Sequence, residues 1–260
     1  MKVFAISDLH LTFQANKPME KFGDGWDNYV ERIREDWNTR VSDEDVVIVA
    51  GDISWAMRME DTEKDFEYLK SLKGKKIIIR GNHDYWWKSI TKIREVLAPD
   101  GYALQNDAII IGDIAFAGTR GWRVPERRWI QNDEDKKIYN REIIRFELAL
   151  KDATTKVKEI LSKQVCNCEN RSGCCTCFSR TSCTLVAVLH YPPFNATLDE
   201  SPFTQLCEKY GVKHCIYGHL HGGKGGRQQL SMTKNGVNYY LTSCDILGHK
   251  LVEIMGVKND

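Results

Sequence analysis

Five short stretches of this chain are almost wholly apolar: VFAIS (3–7), VVIVA (46–50), IIIR (77–80), LVAVL (185–189) and HCIY (214–217). Runs that short and that continuous suit strands covered on both faces, as in a parallel sheet packed between layers. Residues 108–111 and 114–118 flank Gly112-Asp113, a two-residue hairpin signal, and residues 237–242 read as a further strand after Asn235-Gly236. Between the strands the period changes. Trp26, Tyr29, Val30, Ile33, Trp37 and Val41 recur at three- and four-residue spacing, the apolar stripe of a helix. Phe66, Leu69 and Leu72 mark a second helix ended by Gly74, and residues 87–97 a third stopped by Pro99. A long fourth runs from Ile138 to about Val165. Strands alternating with helices predict an α/β fold with a largely parallel core.

The residues just past each apolar run carry the chemistry. After the first come Asp8 and His10, after the second Gly51 and Asp52, after the third Asn82, His83 and Asp84. After the fourth comes His190, and after the fifth Gly218, His219 and His221. Carboxyl ends of parallel strands share one edge of a sheet, where ligands bind, so these distant residues should converge. Asp8, His10, Asp52, Asn82, His190, His219 and His221 offer oxygen and nitrogen donors and no sulfur. That set suits Mn, Fe or Zn and suits soft-metal chemistry poorly. Seven donors exceed the needs of one tetrahedral ion and fit two ions that share a carboxylate. Any one of these residues alone has a bland reading, as a cap or a satisfied core histidine; their repetition at five strand ends favours a metal centre.

The ordered motifs D-x-H, G-D, G-N-H-D, a lone His and G-H-x-H resemble the calcineurin-like metallophosphoesterase superfamily over about residues 1–250, apart from a cysteine-rich segment. The strings GDISWAM (51–57), GNHDYWW (81–87) and GTRGW (118–122) look like a branch of predicted bacterial-type phosphohydrolases. The resemblance implies a four-layer α-β-β-α sandwich of two mixed sheets flanked by helices, with two divalent ions per chain. Asp8, His10 and His221 would hold the first ion, Asn82, His190 and His219 the second, and Asp52 would bridge them. His83 would face the substrate as a catalytic group, with Asp84 beside it to orient it. A pair of such ions acidifies a bridging water for in-line attack, so a phosphate mono- or diester would be cleaved by direct hydrolysis without a phosphoenzyme.

Charge and composition narrow the partners. Lys plus Arg (37) nearly balance Asp plus Glu (36), so extended nucleic acid, which needs a basic track, is not the expected ligand. The expected substrate is a small phosphorylated molecule, with a nucleotide among the options; nothing specifies the oligomeric state. No apolar run approaches the roughly 20 residues that a bilayer requires. The N-terminal MKVFAISDLH has one lysine and no small-residue cleavage site, so it reads as a strand, and the expected location is the cytoplasm. Trp55 and Trp86 are expected to line a substrate cleft, and Arg120, near Arg123, Arg127 and Arg128, to contact substrate phosphate. His214 reads as structural and His249 as a surface loop residue.

Six of the nine cysteines crowd into residues 166–183, and Cys207, Cys215 and Cys244 read as reduced core residues. The chain is expected to form a single domain over 1–260, with the Cys-rich stretch at about 166–183 as an insertion. Two other functions compete: an inactive protein-binding scaffold on the same fold, which would tend to lose ligands, and a metal or redox sensor built on the cysteine cluster.

Overall fold

The computed structural model describes residues 1–15, 17–126, 132–163, 183–222 and 230–256. Most of the cysteine-rich stretch, with Cys166, Cys168, Cys174, Cys175 and Cys177, lies outside the described residues, as do Arg127 and Arg128.

The chain runs β1 (Lys2–Ile6), α1 (Tyr29–Arg40), β2 (Val46–Val49), α2 (Glu63–Ser71), β3 (Lys75–Ile79), α3 (Ile90–Leu97), β4 (Gly101–Leu104), β5 (Asp107–Ile111) and β6 (Ile114–Gly118). It continues through α4 (Asp133–Lys163), β7 (Thr184–Val188), α5 (Pro202–Lys209), β8 (His214–Tyr217), β9 (Ser231–Lys234), β10 (Val237–Leu241) and β11 (Val252–Gly256). The third helix starts later than its apolar pattern predicts. Ser89 caps it by accepting from the N–H of Lys92, which leaves Trp86 and Trp87 in the preceding turn.

Two sheets form, ordered β11-β1-β2-β3-β4 and β5-β6-β7-β8-β10-β9. β1 to β4 are parallel and β11 closes the edge antiparallel; β6, β7, β8 and β10 are parallel, with β5 and β9 antiparallel at the two edges. Alternation of side chains along the strands builds three apolar interfaces. Phe4, Ile6, Val47, Val49 and Ile78 face Ile33 and Trp37 of α1, Phe66 and Leu69 of α2, and Ile93 of α3. Val3, Ala5, Ile48, Ile77 and Ile79 face Ile114, Phe116, Val186, Val188 and Ile216 of the other sheet. The far side of that second sheet carries Ala117, Ala187, Cys215, Tyr239 and Leu241 against Phe146, Leu150 and Ala153 of α4 and Phe203 of α5. The result is the expected four-layer α-β-β-α sandwich, and the sheets need apolar side chains on both faces because both are covered. No helix among the described residues is long and apolar enough to cross a membrane.

The two sheets meet at one rim. Just beyond β1 and β10, Ser7 and Ser243 form a parallel bridge, with the Ser7 N–H donating to Thr242 O (2.7 Å) and the Cys244 N–H to Ser7 O (3.0 Å). The carboxyl ends of β1, β2, β3, β7, β8 and β10 therefore open onto a common floor.

Candidate metal centre

The backbone leaves that rim in an unusual conformation. Asp8, His10, Asp52 and His219 all have positive φ, between 46° and 72°, in the left-handed region that costs a non-glycine residue of order 1 kcal/mol. Four such residues at one place are held there by their surroundings, as expected where side chains must be aimed and not merely packed.

Close approach sets the glycines. A Cβ on Gly81 would overlap the Asp52 carboxylate, and one on Gly218 would overlap the Ser7 hydroxyl and come within 2.5 Å of Asp8 Oδ2. Neither has positive φ. They are needed for what passes over them, not for a tight turn.

All seven expected donors come together. Asp8, His10 and His221 offer ligand atoms within 4.8 Å of one another, as do Asp8, Asp52 and His190. His10 Nε2 and His221 Nε2 face each other at 3.4 Å. Asn82 Oδ1 lies 2.8 Å from His190 Nε2 and 2.7 Å from His219 Nδ1. Asp52 Oδ2 lies 3.5 Å from His190 Nε2 and 3.9 Å from His10 Nε2, between the two sets of donors.

A further ring of contacts fixes how the donors point. Asp8 Oδ2 accepts from Ser7 Oγ (2.5 Å) and Ser243 Oγ (2.8 Å), the His219 N–H is shared between Oδ2 (3.0 Å) and Oδ1 (3.2 Å), and Oδ1 lies 3.7 Å from His221 Nε2. His190 Nδ1 is 2.9 Å from Ala50 O, an acceptor only, so Nδ1 carries a proton and Nε2 faces Asn82 and Asp52. His221 Nδ1 meets Asp245 Oδ1 at 3.2 Å, directing its Nε2 toward His10. Asp52 Oδ1 is anchored by the His83 N–H (2.7 Å), while Asp52 Oδ2 is buried with no hydrogen-bond partner among the described residues.

The electrostatics reflect the crowding of like groups in a dry site. Burial pushes His10 and His219 down to about 3. Burial works against a charge on His190 too, but Asp52 and Asp8 outweigh it and hold this imidazole up at about 9. Burial raises the Asp8 carboxyl, whereas for Asp52 the neighbouring His190 overcomes burial and lowers it. A proton and a metal ion compete for the same lone pairs here. The Asp52 oxygen that faces the imidazoles, the facing imidazole nitrogens and the sulfur-free donor set fit hard-to-borderline divalent ions.

The other expected site residues divide. His83 is at the cluster, its ring centroid 4.4 Å from Trp55 and 5.7 Å from His10. Trp55 stacks on His10 at 4.7 Å, beside the donors. Asp84 does not orient His83. It is fully buried and accepts N–H donors from Gly81 (2.7 Å), Asp52 (3.0 Å), Ile53 (2.9 Å), Ser54 (3.2 Å) and the Trp86 indole (3.1 Å). It pins the turn after β2 to the turn after β3, and His83 Nδ1 is buried with no hydrogen-bond partner among the described residues. Burial pushes the Asp84 carboxyl up to about 7, the Asp52 charge adding to it against the pull of those N–H groups. Trp86 does not face the cluster: it is 0% exposed, packed edge-on to Phe66 and beside Trp87, and the cavity it borders, with Arg58 and Lys92, is a separate one. The Arg120 carbonyl accepts from the His190 N–H (3.0 Å), but its guanidinium leans over Trp122 toward Glu142, in a separate cavity.

Several contributors were not expected. Ser7, Ser243, Asp245 and Tyr191, whose ring is 4.2 Å from His219, all support the donors. The signal was available for two of them: SCD (243–245) comes just after a strand, as the recognised donors do. His214 is structural, half-buried beside the Tyr240 hydroxyl (3.3 Å). His249 is not a surface residue: it is 1% exposed, its ring 5.2 Å from Trp26 and 5.7 Å from Tyr29. Cys207, Cys215 and Cys244 are buried free thiols, in keeping with core positions.

Comparison with known proteins agrees with this geometry. Among solved structures, phosphopantetheinyl hydrolase from Mycobacterium tuberculosis aligns over 100% of this chain and 97% of its own, with 14% identity and a TM-score of 0.50. A protein of unknown function from Aquifex aeolicus aligns over 97% and 95%, with 12% identity and a TM-score of 0.48. At 14% identity the phosphopantetheinyl hydrolase shares the fold alone with this chain. No curated protein matches the chain. The family of calcineurin-like phosphoesterases does match, over residues 1–223 and thus across the strand ends that carry all seven donors. The chain belongs to the calcineurin-like phosphoesterase family and is a hydrolase acting on phosphate esters.

Proposed function

We propose that the chain hydrolyses a small phosphate mono- or diester at a two-ion centre. Asp8, His10 and His221 would hold one divalent ion and Asn82, His190 and His219 the other, with Asp52 available to both. The observation that carries this reading is Asp52 Oδ2, buried with no hydrogen bond among the described residues and set between the imidazoles of His190 (3.5 Å) and His10 (3.9 Å). A buried polar atom without a hydrogen bond costs about 1–3 kcal/mol, and more when charged. Cations at this point remove that cost. The donor chemistry favours Mn, Fe or Zn.

When bound, such ions supply an acidified water and neutralise charge on the phosphoryl oxygens. The chain supplies the geometry. Ser7, Ser243 and the His219 N–H fix Asp8, while Ala50 and Asp245 set the tautomers of His190 and His221. His83, the imidazole at the cluster that is assigned to neither ion, delivers a proton to the leaving oxygen, with Trp55 holding its ring.

The organic part of the substrate has a place to go. A cavity of about 590 Å³ is lined by Tyr191, Phe194, Leu220, Met232 and His219, so it opens from the cluster onto an apolar wall. A small ester fits this arrangement. The substrate panel should include nucleotides and, given the neighbour of that name in fold space, phosphopantetheine.

Mn-loaded protein should hydrolyse p-nitrophenyl phosphate or its bis ester. Asp52→Asn should lower the rate by more than about 100-fold, and His83→Ala by about 10²–10⁴-fold, the usual worth of general acid–base catalysis. In ¹⁸O-water a single turnover should place one solvent oxygen on the product phosphate. A trapped phosphoenzyme, or full activity in Asp52→Asn, overturns the reading.

A further inference from the structure

On the same rim but outside the Asp/His cluster, a cavity of about 310 Å³ lies between α4 and the turns after β3 and β6. Its wall carries Arg80, Lys88, Arg120, Arg141 and Arg145, with Glu142 as the one carboxylate among them. The chain as a whole balances 37 basic against 36 acidic residues, so five cations around one acid is a local departure and not a general excess.

Glu142 organises these cations without neutralising them. It is 1% exposed, and its Oε1 accepts from Arg145 Nη1 at 2.7 Å. The same oxygen lies 3.7 Å from Arg120 Nη2 and 3.8 Å from Arg141 Nε. One oxygen shared among three guanidinium groups holds them on one side and leaves most of their N–H donors uncommitted to it. Arg120 is steadied further by its place over the Trp122 ring, 4.9 Å from the centroid. Arg80 Nε is buried and has no hydrogen-bond partner among the described residues, a donor in the same wall. Like charges gathered this closely repel unless an anion lies among them, and planar guanidinium forks suit tetrahedral oxyanions.

We propose that this cavity is a binding site for a phosphate-type oxyanion, either free phosphate or a second phosphate group on the substrate. The second source rests on the phosphoesterase reading above; the site itself does not. Its position allows both. Arg80 stands two residues before Asn82, and the Arg120 carbonyl accepts the N–H groups of His190 (3.0 Å) and Tyr191 (3.1 Å), so the cavity and the cluster share a wall.

Equilibrium dialysis of the full chain against radiolabelled inorganic phosphate tests the site. The wild type is compared with the double variant Arg141→Ala/Arg145→Ala, whose side chains are 54% and 39% exposed and whose loss leaves the cores intact. In chelator, where the Asp/His cluster holds no ion, the wild type should still bind one phosphate per chain. The double variant should bind it at least 10-fold more weakly, and the milder Lys88→Gln should weaken it less. No binding by the chelated wild type, or equal binding by a double variant with an unchanged melting temperature, overturns the proposal. The source is read from KM on Mn-loaded protein for a monophosphate and an α,ω-bisphosphate of the same diol. A lower KM for the bisphosphate that disappears in the double variant assigns the site to substrate. Equal KM values with phosphate binding intact assign it to free phosphate. Should neither ester be hydrolysed, the binding result stands alone, and the phosphoesterase reading fails without it.

Discussion

Asp52 and His190 come from strands of different sheets, 138 positions apart, yet Asp52 Oδ2 lies 3.5 Å from His190 Nε2. Both groups are buried, and the contact joins the two halves of the sandwich at the floor of the site. A carboxylate placed there for stability alone would be hydrogen-bonded through both oxygens, as Asp84 is. Asp52 is bonded through one, and the other faces the imidazoles.

Asp84 should prove a structural residue that controls activity indirectly. Asp84→Ala strands the N–H groups of Gly81, Asp52, Ile53 and Ser54 in the interior. The expected destabilisation is on the order of 3 kcal/mol or more, read from urea midpoints. If Asp84 instead acts on His83, the variant will melt normally and lose only rate.

Gly81 and Gly25 make a paired test of close approach. Gly81→Ala drives a methyl into the Asp52 carboxylate, whereas a Cβ at Gly25 meets nothing within 4 Å. Gly81→Ala should therefore abolish phosphatase activity and weaken metal binding. Gly25→Ala should stay within about 0.5 kcal/mol of wild-type stability. Comparable behaviour of the two variants would mean that the turn after β3 tolerates displacement.

Acid sensitivity should trace in part to His249. Burial, with the charge of Arg32 adding to it, holds this imidazole down at about 4, against about 6.5 in an unfolded chain. As pH falls below about 6.5 the unfolded state takes up the proton first. The stability held by the neutral ring is thus full above 6.5 and lost progressively toward pH 4. His249→Asn, which tolerates the left-handed backbone at this position (φ 62°), should lose less stability than wild type between pH 7 and 5. Parallel pH profiles for the two proteins would refute this assignment.

The parts of the fold legible in the sequence are those buried on both faces. β1, β2, β3, β7 and β8 announce themselves as unbroken apolar runs because each is covered by helix on one side and sheet on the other. β9, SMTK, and β11, VEIMG, carry polar residues at sheet edges and give no such run. The donors were legible because each stands just past a readable strand. Their supports were not: Asp84's role depends on which backbone N–H groups turn inward, a fact of tertiary geometry. His249 looks exposed between Gly248 and Lys250 until Trp26 and Tyr29 are seen to cover it. The left-handed backbone at Asp8, His10, Asp52 and His219 likewise has no local signature.

Metal content per chain, counted after reconstitution with Mn and removal of loose ions, is the decisive quantity for a two-ion centre. Wild type should carry two ions per chain, and Asn82→Ala and His10→Ala fewer than two, with phosphatase activity falling in step. A wild-type enzyme that turns over phosphate esters with one ion or none would rule out the bridging role of Asp52.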